Sequence, residues 1–234
     1  MAVTPTYNSA LIVGTGPGLS ASLARLFARE GMRVALAARN ADKLAPLATE
    51  TKAQAFACDA TDAAHVAKLF QDVERAIGEP DVVVYNASAR ARGPVAELAP
   101  DDVQRAIQVS AFGGFLVAQE AAKRMLPKGH GAILLTGASA SVKGYKLSAP
   151  FAMGKFALRG LAQSMARELA PKGIHVAHFV IDGGIRSATR ADPANNPDSL
   201  LDPDAIAASY LHVLQQPRSA WTWEVELRPW VENF

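Results

Sequence analysis

Three glycines at alternate positions, Gly14, Gly16 and Gly18, carry the clearest chemistry in this chain. They follow an apolar run, Ala10-Leu11-Ile12-Val13, and precede a pattern in which Leu19, Leu23, Leu26 and Phe27 recur at helical spacing. Gly31 closes that pattern, as a glycine does just past a helix end. Strand, glycine turn and helix make the first half of a mononucleotide-binding unit. The glycines let the backbone turn tightly and approach a pyrophosphate, which rests on the free N–H groups and positive end of the helix. The spacing is G-x-G-x-G rather than the standard G-x-G-x-x-G. A glycine turn without a ligand is therefore the competing reading, weakened by the strand before and the helix after.

A second chemical signal follows the next apolar run. The acidic residue expected about 20 residues after the glycines, which would bind the ribose 2′-hydroxyl of NAD, is missing. The chain reads Ala37-Ala38-Arg39-Asn40 there. A small residue followed by an arginine leaves room and charge for a 2′-phosphate, so NADP(H) is expected over NAD(H). The plainer reading of Arg39 is a solvated turn residue.

Composition excludes several other chemistries. Cys58 is the single cysteine, so an internal disulfide and a cysteine-based metal site are both ruled out. Of five histidines only His175 and His178 are near neighbours, and on a strand their odd offset turns the rings to opposite sides. Both read as structural, and no metal site is expected. A net charge of +2 without a basic run gives no case for nucleic acid. The first ten residues lack the pattern of a signal peptide, and no apolar run reaches the ~18 residues of a membrane span. A cytoplasmic protein that engages neither membrane nor nucleic acid is expected.

The elements that must position these groups follow in order. Apolar segments at 10–13, 32–38, 53–58, 81–85, 132–136 and 174–181 alternate with helical patterns, and 221–227 alternates like a last strand. Asn40 or Asp42, Thr61-Asp62, and Asp202 or Asp204 are placed to cap helices. Pro100-Asp101-Asp102 opens a helical region read as continuous to about Leu126. Pro150 stands at the start of another that runs to Gly173. Such alternation predicts an α/β fold: a doubly wound, Rossmann-type parallel sheet of about seven strands with helices on both faces. Residues 1–234 read as one domain. The aperiodic segment 186–202, with prolines at 193 and 197, is expected to be a substrate loop or lid.

Several segments together resemble the short-chain dehydrogenase/reductase family. Gly14-x-Gly16-x-Gly18-Leu19-Ser20 resembles its T-G-x-x-x-G-x-G loop, with Val13 at the threonine and Ser20 at the last glycine. Cys58-Asp59-Ala60-Thr61-Asp62 resembles the adenine-contacting segment, and Tyr85-Asn86-Ala87-Ser88 resembles N-N-A-G. The stretch from Gly160 to Ser164 and on through Glu168 to Ile174 is similar to the helix and strand that follow the family's active-site lysine. Asp182-Gly183-Gly184-Ile185-Arg186-Ser187 resembles P-G-x-x-x-T. The resemblance implies a cofactor set of Gly14, Gly16, Gly18, Leu19, Arg39, Asp59, Ala60, Asn86, Ala87, Lys155, Gly183, Ile185 and Ser187. It also implies hydride transfer between a nicotinamide and a carbonyl or alcohol carbon.

In that family a tyrosine donates the proton, a lysine four residues on lowers its pKa and holds the nicotinamide ribose, a serine fixes the substrate oxygen, and an asparagine orders a water relay. Lys155 is present here. Phe151 stands four residues before it, Ala138 thirteen before that, and Ser110 in the asparagine's place. A phenyl ring cannot donate a proton, and losing a general acid costs about 10²–10⁴ in rate. Ser139, Ser141, Ser148 and Tyr145 are the hydroxyls near enough in sequence to substitute, with Tyr145 the only phenol. Lys155 can itself act on the substrate if burial lowers its pKa, or it can keep only its grip on the ribose. The expected catalytic set is Lys155, Tyr145, Ser139 and Ser110. The expected pocket is Ala138, Phe151 and Tyr145, bordered by the Phe112–Phe115 turn and the 186–202 loop, a lining that favours an apolar or aromatic carbonyl.

Three functions stay open at this point. One is an NADP(H)-dependent oxidoreductase with a rearranged proton donor. Another is a catalytically silent dinucleotide-binding protein that acts as a sensor or partner subunit. The third is a scaffold without a dinucleotide. By the resemblance, a homodimer or homotetramer is expected through the helical regions 101–126 and 150–173. The tryptophans Trp221, Trp223 and Trp230 are read as interface or core residues.

Overall fold

The computed structural model describes residues 5–232. Seven strands form one sheet: β1 (Ser9–Val13), β2 (Arg33–Ala38), β3 (Gln54–Ala57), β4 (Val82–Tyr85), β5 (Gly131–Thr136), β6 (Ile174–Ile181) and β7 (Glu224–Leu227). Their order is β3-β2-β1-β4-β5-β6-β7, and every pair is parallel. The chain therefore reverses its winding between β1 and β4, the place where open α/β sheets leave a crevice at the strands' carboxyl ends.

The central strands are apolar on both faces because both faces are covered. Alternate residues go to opposite layers. Ala10, Ile12, Val82, Val84, Leu134 and Phe179 pack under α1 (Leu19–Arg29) and α7 (Pro203–Leu214). Leu11, Val13, Val83, Ile133, Leu135 and Val176 pack under α3 (Ala63–Ile77), the helix at Gly113–Met125 and the helix at Ala149–Leu169. A short helix, α2 (Ala45–Thr51), bridges β2 and β3. Two expected caps are in place. Asp62 accepts from the N–H groups of Ala64 and His65 at 2.7 and 3.0 Å, and Asp202 accepts from that of Asp204 at 2.7 Å.

The helical region expected to run unbroken from 100 to 126 is in fact interrupted. It comprises α4 (Pro100–Ile107), one π-turn at Gln108–Phe112, and α5 (Gly113–Met125). The cause is tertiary. Tyr85 is fully buried on β4 and its hydroxyl donates to the Val109 carbonyl; a β-carbon on Gly113 would strike that hydroxyl and the Ala60 carbonyl, and one on Gly114 would strike Leu158 and crowd the Tyr85 ring. A wider turn lets the backbone pass the ring, and such π-turns are often found at functional sites. Since the glycines face inward, Phe112 and Phe115 point outward. They stack on each other at 6.1 Å and are 47% and 39% exposed, so they do not border the pocket as expected.

The last helix of that layer is α6 (Ala149–Leu169), with Pro150 in its first turn. The 182–202 segment between β6 and α7 is compact rather than loose. Arg186 holds Asp192, Asp198 and Asp202 at 2.6, 3.2 and 3.3 Å, and Ile185 bridges to Leu201.

Candidate functional site

The glycine turn ends β1 at the crevice. Gly14 has φ +86°, and a β-carbon there would strike the backbone of Ala87, which follows β4. That close approach requires glycine. The N–H groups of Gly14 and Thr15 both donate to the Ala37 carbonyl at 2.9 and 3.0 Å, so the turn is held from β2 as well. Ser20, in place of the family's last glycine, is buried and useful. Its hydroxyl donates to the Gly14 carbonyl at 3.2 Å and accepts from the Asn86 amide at 2.6 Å. Gly16 and Gly18 have nothing within 4 Å of where a β-carbon would lie, and no side chain caps α1. The turn is thus fixed from below and open above, with the free end of a helix facing the opening.

A cleft of about 1110 Å³ lies over this turn, lined by Gly14, Gly16, Arg39, Asp59, Ala60, Asn86 and Ala87 among others. Leu19 is buried in the core below. Arg39 is exposed at one end. The Asp59 carboxylate accepts from the N–H and hydroxyl of Thr61 at 3.0 and 2.8 Å. Those bonds, with burial opposing and Arg39 assisting, hold it below the usual carboxylate range. Gly183, Ile185 and Ser187 lie beyond the cleft in the β6–α7 loop.

No residue of α6 lines the cleft; α6 packs against the π-turn, whose Gln108 and Val109 do line it. Lys155 is 3% exposed, and its ammonium donates to the Thr136 carbonyl at 2.7 Å. Thr136 is itself fixed through its hydroxyl to Tyr210 of α7 at 2.8 Å. Burial, with a smaller push from Arg90, brings Lys155 down to about 7. One turn earlier, Phe151 is also buried. The Arg90 guanidinium lies 4.1 Å over its ring centroid, with the Lys155 nitrogen 5.9 Å from the same centroid. Ser110 sits in the π-turn with no exposed surface. Its hydroxyl meets the N–H and carbonyl of Ala89 at 3.3 and 3.4 Å, bracing the loop that carries Arg90. Ala138 and Ser139 are half-buried after β5. Tyr145 is not brought to this group by any hydrogen bond: its ring is 46% exposed, and among the described residues its hydroxyl has no hydrogen-bond partner.

One cluster had no visible signal beyond the types of its members. The Ser141 hydroxyl lies 3.3 Å from Nε2 of His178, whose Nδ1 lies 3.0 Å from Glu224, which Arg159 grips at 2.6 and 2.7 Å. His178 does face away from His175, which stacks on Trp221. Burial, with Lys155 and Arg159 assisting and Glu224 opposing, pushes His178 down to about 4. The unfolded chain then takes up a proton near pH 6.5 that the folded chain refuses until about pH 4. Stability is full above 6.5 and falls between 6.5 and 4, by ~3 kcal/mol for this group. Urea midpoints measured across that window should show the loss, and His178→Gln should flatten it; an equally steep fall in the variant would exclude His178 as the cause.

Comparison with known proteins agrees with this geometry. Residues 8–197 match the family model described as short chain dehydrogenase. A short-chain dehydrogenase from Rhodopseudomonas palustris superposes with a TM-score of 0.84 and 36% identity, over 95% of this chain and 99% of that one. A metagenomic short-chain oxidoreductase in complex with NADP gives 0.83 and 26%, over 95% and 97%. A cyclic-di-GMP-binding biofilm dispersal mediator protein of Escherichia coli is 35% identical over 197 residues, 82% of this chain and 78% of its own. The fold, the glycine turn and a match across most of the chain lead to one conclusion: this protein belongs to the short-chain dehydrogenase/reductase family of oxidoreductases.

Proposed function

We propose that the chain binds NADP(H) in the cleft over the Gly14–Gly18 turn and reduces a carbonyl, or oxidises the matching alcohol, at its α6 end. The observation that carries this is the turn itself: braced below by Ser20 and Asn86, open above at Gly16 and Gly18, with Arg39 in the lining of the cleft and buried Lys155 on the helix packed against the π-turn beside it. The 26%-identical oxidoreductase in complex with NADP supports it. Arg39, Asn86 and Lys155 would hold the dinucleotide, which when bound supplies the hydride.

The proton for the substrate oxygen must come from this chain. Phe151 has none to give, and Tyr145 is turned to solvent. Lys155 is the group whose burial supports a proton-donor role, because an ammonium with a pKa near 7 is as able to give a proton as to keep it at neutral pH. A second reading, a dinucleotide-binding protein without turnover, is favoured by the apolar Phe151 ring at the position that the resemblance assigns to the donor.

Titration with NADPH and NADH, followed by tryptophan quenching, tests the reading. NADPH should bind at least tenfold more tightly, and Arg39→Ala should remove most of that difference, since Arg suits a phosphate monoester. Equal affinity overturns the preference, and no binding of either overturns the function.

Assembly and location complete the proposal. Phe112, Phe115, Met153 and Phe156 are large apolar side chains exposed around α5 and α6, beside exposed Ala157 and Gly160. By contrast Gly113, Ala118, Ala121 and Ala162 are used up against the sheet side of these helices. That outer face supports pairing of two copies into a homodimer or homotetramer. Light scattering at micromolar concentration should give at least a dimer mass, and a monomer would overturn it. Among the described residues no helix is long and apolar enough to cross a membrane. A cytoplasmic location belongs to the same proposal.

A further inference from the structure

The residues that the resemblance assigns to the reacting end are closed off from the cleft. Phe151 and Lys155 are 7% and 3% exposed, and Ala138 is half-buried. The cleft over the glycine turn reaches Ser88 and Ala89, and none of these three residues lines it. The next residue in the chain shows why. Arg90 turns its guanidinium onto Phe151, 4.1 Å over the ring centroid, and so covers the ring on the side of its own loop. A dinucleotide in the cleft finds the way from Ala89 to Lys155 covered until part of the wall moves.

Most of that wall is pinned. The 139–141 turn is tied to β6, since Ser141 accepts from the Ala138 N–H at 3.1 Å and lies 3.3 Å from His178. The 182–202 loop is tied by Arg186 to Asp192 at 2.6 Å and by Asp182 to Lys143 at 3.1 Å. The segment 88–93 has weaker ties. The Ser110 hydroxyl meets the N–H and carbonyl of Ala89 at 3.3 and 3.4 Å, and the Gly93 N–H donates to the Leu147 carbonyl at 3.2 Å. All three lie at or beyond the long end of the hydrogen-bond range. Leu147 makes its half of this clasp at φ +62°, a left-handed conformation that is unfavourable for a bulky side chain. The clasp is therefore closed against local strain.

We propose that the segment 88–93 is a lid, latched by Arg90 on Phe151 and by Gly93 on Leu147, which opens to admit a nicotinamide or a substrate to Lys155. This rests on the dinucleotide reading for what enters, though not for the closure itself. A ligand that needs the open form binds more weakly by the fraction of molecules that are open. Releasing a cation from an aromatic face corresponds to about five- to thirtyfold in affinity. That cost falls on the nicotinamide half alone, because the adenosine half lies in the open cleft.

NADPH is compared by calorimetry with 2′-phospho-ADP-ribose, which has the same charge and lacks the nicotinamide. The ratio of the two affinities isolates the closed end. Arg90→Ala should raise the ratio in favour of NADPH at least fivefold, and Arg90 is exposed on its outer side, so the variant leaves the core intact. In the ligand-free protein the Gly93 amide should exchange with solvent at least fivefold faster in Arg90→Ala, since both latches close one segment. An unchanged or lower ratio would show that Arg90 does not stand in the nicotinamide's way. Equal Gly93 exchange in parent and variant would show that the two contacts do not close one lid. Either result overturns the proposal. If neither nucleotide binds, the dinucleotide reading falls, and the exchange rates alone decide whether the lid stands.

Discussion

Replacing Lys155 by methionine is expected to raise the melting temperature of the ligand-free protein at pH 7 while removing most of its stabilisation by NADPH. The two effects have opposite signs because one side chain is costly to fold and necessary to bind. The ordinary pKa of lysine is 10.5, and in the folded chain burial brings it to about 7. Folding therefore favours the neutral amine, and the cost grows as pH falls from 10.5 toward 7. At pH 7 it amounts to ~4 kcal/mol. Methionine fills a similar volume, suits a helix and carries no charge. It leaves the Thr136 carbonyl without the 2.7 Å bond it now accepts, a loss of about 1–3 kcal/mol. The balance is a gain of ~2 kcal/mol, or about 4–8 °C for a chain of this size. The gain should vanish near pH 9, where the cost has fallen to ~2 kcal/mol, and reverse above it as the lysine of the unfolded chain also becomes neutral. With NADPH at a hundred times its dissociation constant the parent gains ~3 kcal/mol of further stability. The variant should lose most of that. Differential scanning fluorimetry with and without NADPH, at pH 7 and pH 10, reads all of these. An unchanged or lower melting temperature without ligand would show that Lys155 is not held in the apolar environment described here.

How far the sequence leads depends on the distance over which each signal acts. The strands are legible because both faces of a central strand are buried, so each appears as an unbroken apolar run such as Val82-Val83-Val84. Asp62 and Asp202 are legible as caps because a cap acts within three residues. The π-turn is not. Its cause is the Tyr85 ring on another strand, and nothing within 100–126 marks the break except two glycines that equally suit other roles. For the same reason Phe112 and Phe115 read as pocket residues: which side of a helix faces the sheet depends on where those glycines must go. The glycine turn is legible as a phosphate site, but its brace is not, since Ser20 and Asn86 lie 66 positions apart. His178 and Glu224 are separated by 46 positions. In each case the residue types were on view, and only the topology of the sheet brought them together at its carboxyl edge.

Phe151→Tyr is expected to raise kcat/KM for NADPH-dependent carbonyl reduction by at least a hundredfold, and it decides between the two readings of the site. The ring of Phe151 is buried with a guanidinium 4.1 Å from its centroid and the Lys155 nitrogen at 5.9 Å. A hydroxyl added to that ring lies close to both cations, and nearby positive charge favours phenolate, lowering the phenol's pKa toward neutrality. A donor poised near the working pH contributes 10²–10⁴ in rate. Ala138 limits the recovery, because it offers no side-chain donor to the substrate oxygen, and one such donor is worth about 10²–10³. Phe151→Tyr with Ala138→Ser should therefore exceed Phe151→Tyr alone, and adding Lys155→Met should abolish the gain. The measurement is NADPH oxidation over a panel of carbonyl compounds, acids and neutral analogues alike. A parent that is silent across the panel, beside a variant that turns over, makes the native chain a dinucleotide-binding protein that lacks a working proton donor. A parent that turns over, loses that activity on Lys155→Met, and gains little from Phe151→Tyr makes Lys155 the native donor, with the tyrosine redundant beside it. No gain in the single or the double variant would mean that the phenyl ring is not beside the reacting carbonyl, and that Arg90 covers it for structural reasons alone.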